Sequence, residues 1–233
     1  MNTFREKAKK FALKHDRILT IWRKTFGKLK TSVYFNHQKK ELQKNGMVLI
    51  SKINRALDKY NAKYFVDCGT LLGMVRDKKP IPYDRDIDYG IWFDDVFTPD
   101  KLDTVMKGIG LKRISRGRVD GEIQEVTYAS GSIHIDFFRH SEVGNESRIY
   151  VFYRDVEVTY PSKKHYSILM QRRLHITGLK KIEVAGVGMN IPENTEPYLA
   201  SIYTDNWRIP DPKWLFTMEP GCEFIKDKFG IRE

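Results

Sequence analysis

Two cysteines in 233 residues are too few for a disulfide framework, and Cys68 and Cys222 match no zinc or thiol-redox spacing. No apolar run approaches the roughly 20 residues that a bilayer-spanning helix requires. The N-terminal stretch has no apolar signal core with a small-residue cleavage site, so a reduced, cytoplasmic setting is expected. Repeats, low-complexity tracts and Gly/Ser-rich linkers are also missing, which excludes a solenoid or a string of tethered modules. What remains is a composition of 41% hydrophobic and 12% aromatic residues, enough for a sizeable core.

The net charge of +11 is unevenly placed. Residues 1–44 hold 13 Lys/Arg against three acids, whereas residues 45–233 hold 28 basic and 27 acidic side chains. The body is nearly neutral, which argues against a nucleic-acid channel through it. In the basic segment Phe4, Ala8, Phe11, Ala12, Ile18, Ile21 and Trp22 recur at helical spacing between lysines. That pattern fits an amphipathic helix lying on an anionic membrane surface through residues 1–30, a peripheral site at the inner face of the membrane. It also fits a helix packed on the body or on a second subunit.

The pattern divides the chain into a basic helical extension over 1–44 and one domain over 45–233. A helix is expected over 39–60 with Leu42, Val48, Leu49, Ile53 and Leu57 inward. "KYFVDC" reads as a strand, "TLLGMVRD" as a short helix, "KKPIPYDR" as a proline-stiffened loop and "DIDYGIWF" as a strand. Thr98-Pro99-Asp100 is a helix start. Residues 111–160 read as β-structure, with strands at "LKRIS", "EIQEVTYA", "SIHIDFFR", "RIYVFYR" and "VEVTY". "KKIEVAG" is a further strand, and Asn194 or Thr195 caps a short helix. The fold class is α+β, a mixed sheet flanked by helices.

Chemistry concentrates in acids placed where apolar residues belong. Residues two apart on a strand share a face, so Asp86 and Asp88 point one way while Ile87, Tyr89 and Ile91 point to the core. Aligned carboxylates oppose joint ionisation unless a cation lies between them. A solvated strand face is the plainer explanation of that pair taken alone. Asp136 is a second anomaly, one acid in the apolar strand "SIHIDFFR", sharing its face with His134. Three oxygen donors of this kind suit Mg²⁺ or Mn²⁺. Gly69-Thr70, between strand and helix, and Arg76 are candidates for holding phosphate. Asp84 is a candidate ligand or a support for Arg85 or Arg76.

A Gly-Thr step, then "DIDY", then a later strand acid resembles the nucleotidyltransferase superfamily. More narrowly, "GTLLGMVRDKKPIPYDRDID" and "IPENTEPYLASIYTDNWRIPDPKW" resemble the LicD/fukutin family, over roughly residues 45–214. The resemblance implies a nucleotidyltransferase-like fold and transfer of a phospho-alcohol (phosphocholine, ribitol or glycerol phosphate) from a CDP-linked donor. The acceptor it implies is a hydroxyl of a surface or lipid-linked glycan, with CMP leaving. Carried over, Asp86 and Asp88 hold one or two Mg²⁺ (or Mn²⁺) ions. Asp136 shares a metal and takes the hydroxyl proton, Gly69 and Thr70 touch donor phosphate, and Arg76 neutralises it. Tyr83 and Thr204 depart from the family pattern, which has tryptophan and glycine there. Transfer of NMP from an NTP to a small molecule or RNA uses the same three acids, and an inactive glycan-binding module is a third reading. Nothing in the spacing of His140, His165 or His175 points to a ligand set; Lys163, Lys164, Arg172 and Arg173 are candidates to meet a diphosphate, with a solvated position the plainer reading.

Overall fold

The computed structural model describes residues 33–155 and 157–233. The amphipathic pattern assigned to residues 1–30 lies outside them. Helix α1 runs through 33–58, so the boundary read at residue 44 falls inside an unbroken helix. Leu42, Leu49, Ile50, Ile53 and Leu57 form its buried stripe. Val48, expected inward, is 73% exposed because it sits one position off that stripe, and Ile50 takes the inward place instead.

Strand β1 (Tyr64–Val66) leads into α2 (Cys68–Leu72), a π-helical turn over Gly73–Asp77, and β2 (Asp86–Ile91). Helix α3 (Pro99–Gly108) starts as expected: the Thr98 hydroxyl accepts from the Lys101 N–H and Pro99 needs no intrahelical donor. β3 (Lys112–Val119), β4 (Glu122–Ser130) and β5 (Ile133–Arg139) follow as hairpins. Asp120-Gly121 closes the first with positive φ at both residues. β6 (Ser141–Val143), β7 (Glu146–Tyr153) and β8 (His165–Leu174) extend the sheet. β9 (Leu179–Val184) and β10 (Val187–Pro192) make a separate hairpin, α4 (Thr195–Tyr203) follows, and β11 (Cys222–Arg232) ends the chain.

Nine strands pair in the order β1-β2-β5-β4-β3-β11-β8-β7-β6. Among the described residues only β2 and β5 pair in parallel, which makes the sheet mixed. It is also curled: Asp67, just after β1, hydrogen-bonds Arg173 on β8, although five strands lie between them in the sheet order. The core fills the α1 side, where Tyr89 stacks on Phe137 at 4.9 Å across β2 and β5. No described helix is long and apolar enough to cross a membrane.

Two sequence expectations need correction. "VEVTY" is not a strand: residues 157–160 lie in the β7–β8 connection, where the Tyr160 hydroxyl accepts from the Asp155 N–H and bonds Ser167. β8 and β11, read as irregular or left unassigned, are long central strands. Their charged residues disguised them, Arg173 included, which is buried in β8.

Candidate active site

The parallel register of β2 and β5 places Asp88 opposite Asp136 and Asp86 opposite His134. Paired residues on neighbouring strands share a face, so all four side chains lie on the side away from the Tyr89–Phe137 core. β4 adds to that face. Thr127 is paired with Asp136, and Glu125, two residues earlier, points the same way. Asp84, Asp86, Asp88, Asp136 and Glu125 line one cavity of about 920 Å³. Residues from 202 to 216, Tyr203, Trp207 and Trp214 among them, form another part of its wall.

Such a floor is electrostatically expensive. Burial, with Glu125 and Asp86 nearby, pushes the Asp136 carboxyl up to about 8. Burial followed by Asp86, Asp84 and Asp136 raises Asp88 well above the usual carboxylate range. Asp84 is raised by burial and by Asp86. The buried Glu125 Oε2 has no hydrogen-bond partner, while the other oxygen of that carboxylate takes the Arg232 guanidinium. Among the described residues no group of three His, Cys, Asp or Glu side chains converges in metal-binding geometry. The donor set is nevertheless all hard oxygen, desolvated and short of countercharge, which fits a divalent ion such as Mg²⁺ or Mn²⁺.

The turn after β1 holds this floor in place. The Asp67 N–H donates to the Asp88 carbonyl at 2.9 Å, and the Asp88 N–H donates to Thr70 Oγ1 at 2.9 Å. Asp88 is thus gripped from both sides of its backbone. Thr70, expected at a donor phosphate, is buried away from the cavity lining and gives its oxygen to the strand. Gly69 does line the cavity, and a Cβ there would collide with the Asp84 carboxylate. Cys68 adopts φ of 46°, a strained value for a side chain.

Asp67 itself is fully buried and anchors a polar network that the spacing of residues did not reveal. Its carboxylate accepts from Cys68 N (2.8 Å), Arg173 Nη1 (2.8 Å) and the Tyr198 hydroxyl (3.0 Å), and bonds His140 Nε2 at 3.0 Å. Burial alone would raise its pKa; Arg173, His140 and the Cys68 N–H outweigh burial and hold it well below the usual range. His140 Nδ1 lies 2.7 Å from Ser147 Oγ, so Asp67, His140 and Ser147 have the order of a hydrolase triad. Ser147 is fully buried and donates to Glu142, so it meets no substrate.

Arg76 lines the cavity as expected, but Asp77 holds its guanidinium edge-on at 2.9 and 2.8 Å. Its charge is therefore already matched by the adjacent residue. Glu125, Glu219, Lys39 and Arg85 also line the cavity and were not assigned to it from sequence, and Arg173, for which a solvated position was the plainer reading, lines it as a buried residue. Glu125 alone had a local signal, an acid in the interior of the strand "EIQEVTYA", flanked by Val126 and Gln124.

Thr204 has φ of 64°, which glycine adopts without steric cost, and this accounts physically for a glycine-favouring position at the end of α4. Thr204→Gly is expected to stabilise the protein by about 1 kcal/mol. Chemical denaturation measures this, and an unchanged or lower midpoint would show that the backbone there is unstrained.

A family model described as "LicD/FKTN/FKRP, nucleotidyltransferase domain" matches residues 61–194. The chain is 23% identical to Ribitol-5-phosphate transferase FKTN of Homo sapiens over 179 residues, 76% of this chain and 36% of that protein. The Macaca fascicularis protein of the same name matches to the same extent. An uncharacterized protein of Rickettsia prowazekii is 45% identical over 47 residues, 20% of this chain and 18% of that one. The chain therefore spans about a third of the length of the two transferases it matches.

Proposed function

The chain belongs to the LicD/FKTN/FKRP nucleotidyltransferase-domain family, and from that premise we propose that it is a metal-dependent transferase. It moves a phospho-alcohol, such as phosphocholine, ribitol phosphate or glycerol phosphate, from a CDP-linked donor to a glycan or lipid-linked glycan hydroxyl and releases CMP. The observation that carries this reading is the facing of Asp86, Asp88 and Asp136 from two parallel strands into one cavity large enough for a nucleotide. That arrangement also supports a nucleotidyltransferase-like fold.

In this reading Asp86 and Asp88 hold Mg²⁺ or Mn²⁺, with Asp136 completing the set. A bound divalent ion supplies charge neutralisation at the donor diphosphate and at the departing CMP. Asp136 takes the proton of the attacking hydroxyl as its oxygen bonds to the alcohol-bearing phosphorus and the phosphorus–oxygen bond to CMP breaks. Thr127, opposite Asp136 on β4, flanks that carboxylate. Phosphoryl transfer needs little covalent help, so in-line positioning and charge account for most of the rate. The Gly69–Asp84 contact and the Thr70–Asp88 bond supply the rigidity.

The test is a panel of CDP-choline, CDP-ribitol and CDP-glycerol against the four NTPs, with CMP and pyrophosphate release both measured. CMP release from a CDP-alcohol, abolished by EDTA and restored by Mg²⁺, is the expected result. Undiminished turnover in excess chelator, or pyrophosphate release from an NTP instead, overturns the proposal.

A further inference from the structure

Four basic side chains line the carboxylate cavity: Lys39, Arg76, Arg85 and Arg173. An anionic ligand needs donors that are not already engaged, and two of the four fail that requirement. Arg173 gives Nε to Glu219 at 2.8 Å, Nη1 to Asp67 and Tyr198 at 2.8 and 3.3 Å, and Nη2 to Gln171 and Glu219 at 2.9 and 3.1 Å. Those five bonds exhaust a guanidinium. Arg76 is held by Asp77 on one edge and directs Nη1 to the Trp207 carbonyl at 3.4 Å.

Lys39 and Arg85 differ. Among the described residues neither forms an ion pair, although seven carboxylates line the same cavity. The Arg85 guanidinium instead lies over the Phe35 ring, 4.1 Å from its centroid. A stacked guanidinium keeps its in-plane N–H donors free for a ligand. Phe35 and Lys39 are one helical turn apart on α1, so the face that holds Arg85 also presents Lys39. The cavity therefore combines an acidic floor with two cations that carry no salt bridge, and one of them is drawn from α1, which lies outside the matched residues 61–194.

We propose that Lys39 and Arg85 are the phosphate-binding pair of this cavity and take the diphosphate of a nucleoside-diphosphate donor. The assignment rests on the donor reading above but is narrower. It places the direct countercharge on these two side chains, and leaves Arg173 as a positioning residue for the Asp67 turn and Arg76 as a wall element. A diphosphate diester carries two negative charges, and planar Arg donors with a mobile Lys suit its oxygens.

Isothermal titration of the full chain with inorganic pyrophosphate, and separately with CDP, in the presence of Mg²⁺ tests this. Lys39→Met and Arg85→Gln are each expected to weaken binding about 10-fold, and the double variant about 100-fold. The double variant should also have a shallower dependence on salt. Arg85→Lys is expected to recover part of the loss, and Arg76→Gln to change affinity less than about threefold. Lys39 and Arg85 are only partly buried, so melting temperatures should stay near wild type. Wild-type affinity in the double variant overturns the proposal, as does a wild type that does not bind pyrophosphate. If pyrophosphate binding follows the two residues while no CDP-alcohol is turned over, the phosphate pair stands and the donor reading falls. If donors are turned over and the double variant binds them normally, the pair alone is wrong.

Discussion

Asp88→Asn is expected to lower turnover at least about 1,000-fold while yielding a metal-free protein that is as stable as wild type or more so. Both effects have one cause. Asp88 is buried beside Asp86, Asp84 and Asp136, so its ionised form is opposed by desolvation first and by those carboxylates next. A neutral amide removes that opposition together with the ligand. The sign follows from the raised pKa values. A carboxyl raised in the folded state binds its proton more tightly there than in the unfolded chain, so stability falls as pH rises from about 4 through the folded value. For Asp136 that value is about 8. The metal-free wild type should therefore melt several degrees lower at pH 8.5 than at pH 5.5, a loss on the order of 3 kcal/mol. Millimolar Mg²⁺ should return most of the difference in wild type and little in Asp88→Asn. Thermal melts with and without EDTA give the result, and a wild-type melting temperature flat in pH and indifferent to Mg²⁺ would dispose of the carboxylate floor as a cation site.

The second large effect is opposite in sign. Asp67→Asn is expected to destabilise the fold by about 3–5 kcal/mol, because it leaves the buried Arg173 guanidinium facing an amide. Arg173 retains Glu219, and the amide oxygen can still accept from the Cys68 N–H and the Tyr198 hydroxyl, but Arg173 Nη1 and His140 Nε2 then face an NH₂ group where the second carboxylate oxygen was. Asp67 has a depressed pKa, so its contribution is complete above about pH 4 and is lost as pH falls through the lower folded value. Urea titration at pH 7 should show the full loss, and the variant should show a shallower decline in stability below pH 4. Asp67→Asn with Arg173→Met should cost less than the sum of the single changes, since the pair acts as one unit. Strict additivity would mean that the two side chains do not stabilise each other.

The two predictions fall on opposite sides of what was readable beforehand. Asp86, Asp88 and Asp136 stood out because an acid in an apolar strand breaks a local pattern, and alternation alone put Asp136 and His134 on one face. The Thr98 cap, α4 and the strands from β1 to β5 were legible for the same reason. Asp67 carried no such mark, since an acid before Cys68-Gly69 looks like an ordinary turn residue. His140, Ser147, Arg173 and Glu219 are separated from it by 73 to 152 positions, and no local spacing encodes their meeting. β8 was missed because Arg172 and Arg173 interrupt its apolar run, and the partners that let Arg173 be buried are far away in the chain.

Sequence by itself determined which strands carry the acids and toward which face they turn, because side-chain alternation is a property of each strand alone. The curl of the sheet decided the rest. It brought β8 against the turn after β1 and engaged Arg173 with the buried acids Asp67 and Glu219, whereas Lys39 and Arg85, among the described residues, carry no ion pair in the cavity. Whether a charge is free or matched depends on distances between residues far apart in the chain, and those exist only once the sheet has closed on itself.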